Sequence, residues 1–364
     1  MFKRMIFMVT IKEGTFKETK QLVEKFGASP LSELKDLPDY YTFNKNLLYS
    51  HRDFPRYLKA LNSGKKCAIV SGINPSGGMH FGHRIVFDTN LFFQENYGVD
   101  VFIPLSDDES YITGKVDKQE TALKNALTVA KELLAYGFNP KKTFVIIDQI
   151  YTSIYNLAIK FSRGITMSAI KATYGYKMED NPGLFFYPAI QTAHILLPLA
   201  RFDYDDVLVA IGPDEDSHIR IGRDIAPKFG LKKPAIVHAV FLPGLTGEKM
   251  SASKPETAIF FEDKLKDIDK KVMKSYSGGR VSVEEHRKFG GDPDNDISCL
   301  YLSFFFLDDK ESEKLFEDYR KGRLLSGEVK KMFSKRIVKY ISDFQKRKAK
   351  IQDKDVEMII LRNN

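Results

Sequence analysis

The sequence predicts a doubly wound α/β sheet interrupted by a helical insertion and followed by an all-helical C-terminal region. Two observations carry this. Five short runs rich in Val and Ile, each bounded by Gly, Pro or Asp, read as buried parallel strands, with stretches of helical periodicity between them. After about Glu262 the strand pattern stops and only helical spacing remains.

The elements follow in order. Before Leu61 the pattern is mixed, with FGASP and LNSGKK at its joints, so residues 1–60 are expected to be a leader packing on the core. Residues 61–265 form the α/β domain. Its strands are expected at Cys67–Ser71, Val99–Leu105, Thr143–Asp148, Asp206–Gly212 and Pro234–His238, with a crossover helix within Asp117–Tyr136. The interval from Ile150 to Ala200 is too long for one crossover helix, which places a helical insertion at about 150–200. Residues 266–364 contain three expected helices, Ser282–Gly290, Asp296–Leu307 and Ser326–Lys350, separated by glycine-rich breaks.

Composition narrows the class. With 364 residues, 43% hydrophobic and 29% charged, the chain buries a proper core and is neither disordered nor collagen-like. No run of eighteen apolar residues occurs, so no membrane span is expected. Two cysteines are too few for a disulfide framework or a thiolate metal site, and a reducing cytoplasm is the expected location. The net charge is +8, and Lys330–Asn364 alone holds eleven basic residues against four acidic ones. A polyanion is therefore a natural partner for the C-terminal region, although a solvated basic helix has the same composition.

Two motifs carry chemistry. Directly after the first strand runs Gly72-Ile-Asn-Pro-Ser-Gly-Gly-Met-His80-Phe-Gly82-His83, a glycine-rich strand-to-helix turn whose N–H groups suit an anion. It is neither a Walker loop nor GxGxxG. His80 and His83 share one side of a helical turn, and Gly82 between them leaves room for a ligand. No third ligand stands near them in sequence, so no metal is expected. The second motif is Lys249-Met250-Ser251-Ala252-Ser253, past the last strand, where a lysine on a mobile loop suits charge moving onto a phosphate leaving group.

HxGH early and KMSAS late are the paired signatures of class I aminoacyl-tRNA synthetases. Further blocks narrow the resemblance: Leu48-Tyr-Ser-His-Arg-Asp53, Ser277-Gly-Gly-Arg280, Glu284-Glu-His-Arg-Lys-Phe-Gly-Gly291, Tyr301-Leu-Ser-Phe-Phe and Leu324-Leu-Ser-Gly-Glu-Val-Lys-Lys331. Over about Phe26–Lys350 the chain resembles tryptophanyl-tRNA synthetases of the archaeal and eukaryotic type. The resemblance implies a Rossmann catalytic domain, a helical anticodon-binding domain and a cytoplasmic homodimer. It also implies activation of L-tryptophan with ATP and Mg2+ and transfer to tRNA(Trp), with no protein-bound metal.

Site residues follow motif by motif. His80, His83, Lys249, Ser251 and Ser253 match the catalytic signatures. Gly72, Ser76, Gly82, Gly212, Asp214, Lys249 and Met250 match positions that hold ATP, Asp214 falling in a GxDQ-like element that binds ribose hydroxyls. Gln191, Glu109, Glu215 and His194 are the expected amino-acid contacts, His194 as an acceptor for the indole N–H. Glu215 stands where the pattern has glutamine, and Val70 and Pro104 stand where the eukaryotic branch has tyrosine and glutamine. Lys335, Arg336 and Lys339 cluster on one face of a helix whose Met332, Phe333, Ile337 and Ile341 are expected to pack inward, and they are the expected tRNA contacts. Tyrosyl-tRNA synthetase is the nearest rival, but its pocket helix reads Tyr-x-x-x-Gln-x-x-Asp where this chain has His194. Small HxGH adenylyltransferases lack the KMSAS loop, and a non-catalytic tRNA-binding paralogue has no need of intact histidines.

Overall fold

The computed structural model describes residues 22–248, 250 and 254–363. Lys249, Ser251 and Ser253, three of the expected catalytic residues, lie outside the described residues. The first half runs β1 (Ser29–Pro30), α1 (Tyr41–Asn44), β2 (Leu48–Arg52), α2 (Phe54–Asn62), β3 (Cys67–Val70), α3 (Arg84–Tyr97), β4 (Asp100–Leu105), α4 (Asp107–Ile112), α5 (Gln119–Tyr136) and β5 (Thr143–Ile147). Then come α6 (Ser153–Ser162), α7 (Met167–Tyr174), α8 (Pro182–Arg201), β6 (Asp206–Ile211), α9 (Asp216–Ile225) and β7 (Ala235–Ala239). The C-terminal part is helical: α10 (Leu265–Met273), α11 (Val283–Phe289), α12 (Ile297–Phe305), α13 (Asp309–Arg320), α14 (Ser326–Lys348) and α15 (Asp353–Glu357).

The seven strands form one sheet in the order β1-β2-β7-β6-β3-β4-β5. The five predicted strands are its parallel core, and the order reverses between β3 and β6. In such sheets the crevice outside the strand C-termini at the reversal is where ligands bind. The leader differs from its mixed reading. It supplies β1 and β2, which extend the sheet antiparallel on β7. Leu48–Arg52 was hard to read as a strand because it carries Ser, His and Arg rather than a Val/Ile run.

Alternate residues of the central strands feed two cores. Ile69, Val101, Ile103 and Val145 face α3, α5 and the C-terminal helices, while Ala68, Val70, Phe102 and Ile146 face α6, α8 and α9. On the first side Phe333, Ile337, Ile341 and Phe344 of α14 join Phe81 and Ile85 of the first crossover in one cluster. Arg84 ties these parts together. It is ion-paired to Asp88, and its guanidinium lies 4.6 Å from the Phe305 ring centroid and 4.5 Å from that of Tyr340. The far edge of the sheet is covered by the chain's own end, where Leu361 N–H donates to Val145 O and Val145 N–H to Ile359 O.

Helix α8 is long and apolar enough by composition to cross a bilayer, with mean hydropathy 1.3 over its apolar window. The sequence contains no unbroken apolar run of that length because Gln191, Thr192 and His194 interrupt it. Its residues pack on α6, α9 and β6 instead.

Two readings of α14 are corrected. Met332 is exposed at 37% rather than packed, because the inward stripe begins at Phe333. Arg336 is not a free surface cation, since its Nη1 donates to Phe306 O at 2.6 Å and so caps the C-terminus of α12.

Candidate active site

A cavity of about 410 Å³ opens at the C-terminal ends of β3 and β6, where the strand order reverses. The chain leaves β3 through Gly72 and Ile73, makes the glycine-rich turn, and enters α3 through a 3-10 turn at Phe81–His83. Of the residues expected to hold ATP, Gly72, Gly82, Gly212, Asp214 and Met250 line this cavity together with His80 and His83. All four expected amino-acid contacts, Glu109, Gln191, His194 and Glu215, also line it. Residues more than a hundred positions apart in sequence thus meet in one space.

Ser76 departs from this. It is not part of the lining, and its N–H is taken by Asn74 Oδ1 at 3.0 Å. Asn74 is the residue that sequence reasoning missed. It lines the cavity, its Nδ2 donates to Glu109 Oε2 at 2.5 Å, and its Oδ1 also accepts from Ser110 Oγ. The signal available was its place inside the turn, in a stretch read for its glycines alone.

The two histidines form a stacked pair, ring centroids 4.0 Å apart. His80 Nδ1 accepts the Gly82 N–H at 3.1 Å, which leaves its proton on Nε2 as a donor. His83 Nδ1 bonds the backbone of His80. Burial lowers the His80 pKa to about 2 and that of His83 to about 4, so both rings are neutral at physiological pH. Gly82 is required by this geometry, because a Cβ there would stand 2.8 Å from the His80 ring. Gly212 has the same reason to be glycine, since a Cβ would meet Asp214 Oδ1 at 2.8 Å.

The amino-acid end is more polar than its strand ends. Val70 and Pro104 line it and offer no side-chain hydrogen bond. Gln191 Oε1 accepts the Tyr174 hydroxyl at 2.6 Å, and Tyr174 stacks on His218, whose Nδ1 lies 3.2 Å from Glu215 Oε2. Glu109 is also ion-paired to Lys115 at 3.2 Å. His194 is buried with Nε2 2.6 Å from Asp148 Oδ1. Lys254, just past the KMSAS stretch, is exposed and pairs with Glu248 at 3.4 Å.

The Gly212–Glu215 turn is braced from behind. Asp216 takes Arg52 Nε at 2.7 Å, Arg52 Nη2 at 2.9 Å and His238 Nε2 at 2.9 Å, and the other ring nitrogen of His238 lies 2.9 Å from Ser50 Oγ. These bonds outweigh the cost of burial and hold the Asp216 carboxyl well below the ordinary aspartate range. The Ser50–His238–Asp216 chain resembles a hydrolytic triad in composition only, because Ser50 and His238 are fully buried and outside the cavity lining. Among the described residues no three His, Cys, Asp or Glu side chains converge to hold a metal ion.

A parallel sheet in this order, with HxGH at the turn after its first strand and an aspartate after the strand across the switch point, defines the catalytic fold of a class I aminoacyl-tRNA synthetase. The chain belongs to the class I tRNA synthetases of the tryptophan and tyrosine (W and Y) family, whose model matches residues 62–342. It is 37% identical over 355 residues to the tryptophan–tRNA ligase of Methanocaldococcus jannaschii, covering 94% of each chain. With the tryptophan–tRNA ligase of Sulfurisphaera tokodaii it shares 36% over 343 residues, 93% of this chain and 87% of the relative. The solved tryptophanyl-tRNA synthetase of Aeropyrum pernix K1 superposes with a TM-score of 0.87 at 27% identity, covering 95% of this chain and 97% of the other.

Proposed function

We propose that this chain is a tryptophan–tRNA ligase: it activates L-tryptophan with ATP and transfers the aminoacyl group to tRNA(Trp). The observation that carries the reading is the single cavity that brings His80, His83 and Asp214 into one space with Glu109, Gln191 and His194. The tryptophan–tRNA ligases that match the chain over nearly its whole length support the choice of amino acid. The tyrosine alternative lacks the aspartate its pocket helix would need, since that place is His194.

In this reading a tryptophan carboxylate oxygen attacks the α-phosphate and pyrophosphate leaves. The Nε2–H of neutral His80 donates to phosphate oxygen as charge accumulates, Asp214 accepts from ribose hydroxyls, and Lys249 follows the leaving pyrophosphate. Ser251, Ser253 and Met250 belong to the same KMSAS signature as Lys249. Ribose 2′-OH of the tRNA terminus then attacks the acyl carbon and AMP departs. Mg2+ is expected to arrive bound to the phosphates of ATP.

The same reading assigns residues 61–265 the chemistry and 266–364, with Lys335 and Lys339, the tRNA contact. Residues 22–60 extend the sheet of the core, and the working unit is a cytoplasmic homodimer. Amino-acid-dependent exchange of labelled pyrophosphate into ATP, run across all twenty amino acids, tests the assignment. Tryptophan alone should support exchange, and exchange with tyrosine instead would overturn it.

A further inference from the structure

The wall of the cavity holds a chain of buried titratable groups that the reaction above does not use. His194, 2% exposed, reaches Asp148 at the end of β5, with Nε2 2.6 Å from Asp148 Oδ1. Behind it, Asp148 Oδ2 and Asp108 Oδ2 are both shut off from solvent with no N–H or hydroxyl donor beside them. The two carboxyls lie close enough for each to act on the other's proton affinity, and a proton shared between them relieves the like-charge repulsion that adds to burial in raising Asp108. Asp107 is occupied elsewhere, accepting from the Asp148 N–H and from Gln149 Nε2. The other ring nitrogen of His194, Nδ1, bonds no described residue, and the ring lines the cavity with Val70 and Pro104, which offer no side-chain acceptor, and the hydroxyls of Ser71 and Ser106.

We propose that Asp148 and Asp108 are positioning residues for amino-acid recognition: the Asp108 hydroxyl donates to the Asp148 carboxylate, which takes the Nε2–H of His194 and leaves Nδ1 bare to accept the indole N–H. The proposal rests on the reading of the site as tryptophan-activating. Its physical basis is that the bond made by one imidazole nitrogen decides the protonation of the other. Burial keeps the ring neutral, lowering the His194 pKa to about 4, and pushes Asp108 up to about 9, so that the proton between the carboxyls stays on at physiological pH. A buried acceptor left without its donor is penalised, so a substrate lacking the N–H should be rejected.

The test compares kcat/KM in pyrophosphate exchange for tryptophan and for β-(benzothien-3-yl)alanine, in which sulfur replaces the ring N–H. The wild-type ratio should be about a hundredfold or more in favour of tryptophan. His194→Leu should bring the ratio close to one. Asp148→Asn turns an amide N–H towards Nε2 and moves the imidazole proton to Nδ1, so it should also collapse the ratio. A merely structural Asp148 would lower both substrates equally and leave the ratio intact, which overturns the proposal. One measurement needs no variant. Nitrogen-15 spectra of histidine-labelled wild-type enzyme should show His194 protonated on Nε2, with the Nδ1 signal moving on addition of tryptophan but not of the analogue. An Nδ1-protonated His194 refutes the assignment. Wild-type enzyme that activates tyrosine but not tryptophan removes the underlying reading, whereas activation of tryptophan with a ratio near one removes only the assignment to Asp148 and His194.

Discussion

At the residue scale the cavity holds neutral histidines. Their folded-state pKa values, about 2 for His80 and about 4 for His83 and His194, lie below the ordinary 6.5. In the unfolded chain the same rings take up protons as pH falls through 6.5, so the unfolded state binds more protons and stability declines on that side. Thermal unfolding followed from pH 7 to 4 should show a falling midpoint, smaller in a His83→Gln variant once its own loss of stability is subtracted at pH 7. For the same reason kcat should show no limb near pH 6.5 from these rings. Lys249 makes a separate prediction. In the proposed reaction it meets pyrophosphate mainly in the transition state, so Lys249→Ala should lower kcat by roughly a hundredfold or more while tryptophan binding barely changes. Unchanged kcat with a raised KM would contradict that role.

At the element scale, β2 explains why the Leu48–Asp53 block accompanies the catalytic motifs. Its Arg52 grips Asp216, whose side chain is 1% exposed, immediately beside Asp214 and Glu215. Removing Arg52 leaves this buried carboxylate with only His238 and, at 3.3 Å, Arg220, at a cost of up to about 3–5 kcal/mol. Arg52→Ala should show that loss in urea unfolding and should raise KM for ATP as the turn loosens; a change within measurement error would mean the turn holds itself. Helix α14 makes the second prediction. Lys335 is exposed and Lys339 pairs only loosely with Asp343 at 3.6 Å, whereas Arg336 is committed to Phe306 O. Lys335→Gln with Lys339→Gln should weaken tRNA binding and flatten its salt dependence with pyrophosphate exchange intact. Arg336→Gln should instead cost stability. An unchanged salt slope in the double variant would place the nucleic acid on another face.

For the whole molecule, one compositional fact becomes an assay. The chain contains no tryptophan, so bound substrate would be the only indole in the complex. Its emission should shift to the blue on titration into the enzyme, as the ring enters a cavity lined by Ile85, Ile195 and Val209. Displacement by equimolar tyrosine would contradict the amino-acid assignment. The charge distribution has a similar global reading. Most of the +8 resides from Lys330 onward, largely on a helix whose apolar face belongs to the same core as Phe81 beside His80 and His83. Contact with a polyanion at α14 therefore falls on an element packed directly against the first crossover.

The five parallel strands, HxGH and the aspartate after β6 were legible in the sequence because each is a local pattern: a Val/Ile run, a spacing of three, a turn at a strand end. Other features depended on what came to lie beside what. Strand β2 takes its place from pairing with β7, about 190 residues away, and carries too many polar groups to announce itself. Asn74 gained its role from Glu109 and Ser110, and Ser76 lost its expected one to Asn74. Arg336 reads as a surface cation by spacing, yet the end of α12 claims it. The pair proposed to share a proton behind His194 of α8 joins residues from α4 and the end of β5, and no periodicity encodes such a meeting. Local chemistry selects the strands and motifs; burial and long-range pairing decide which polar groups are left free to meet a substrate.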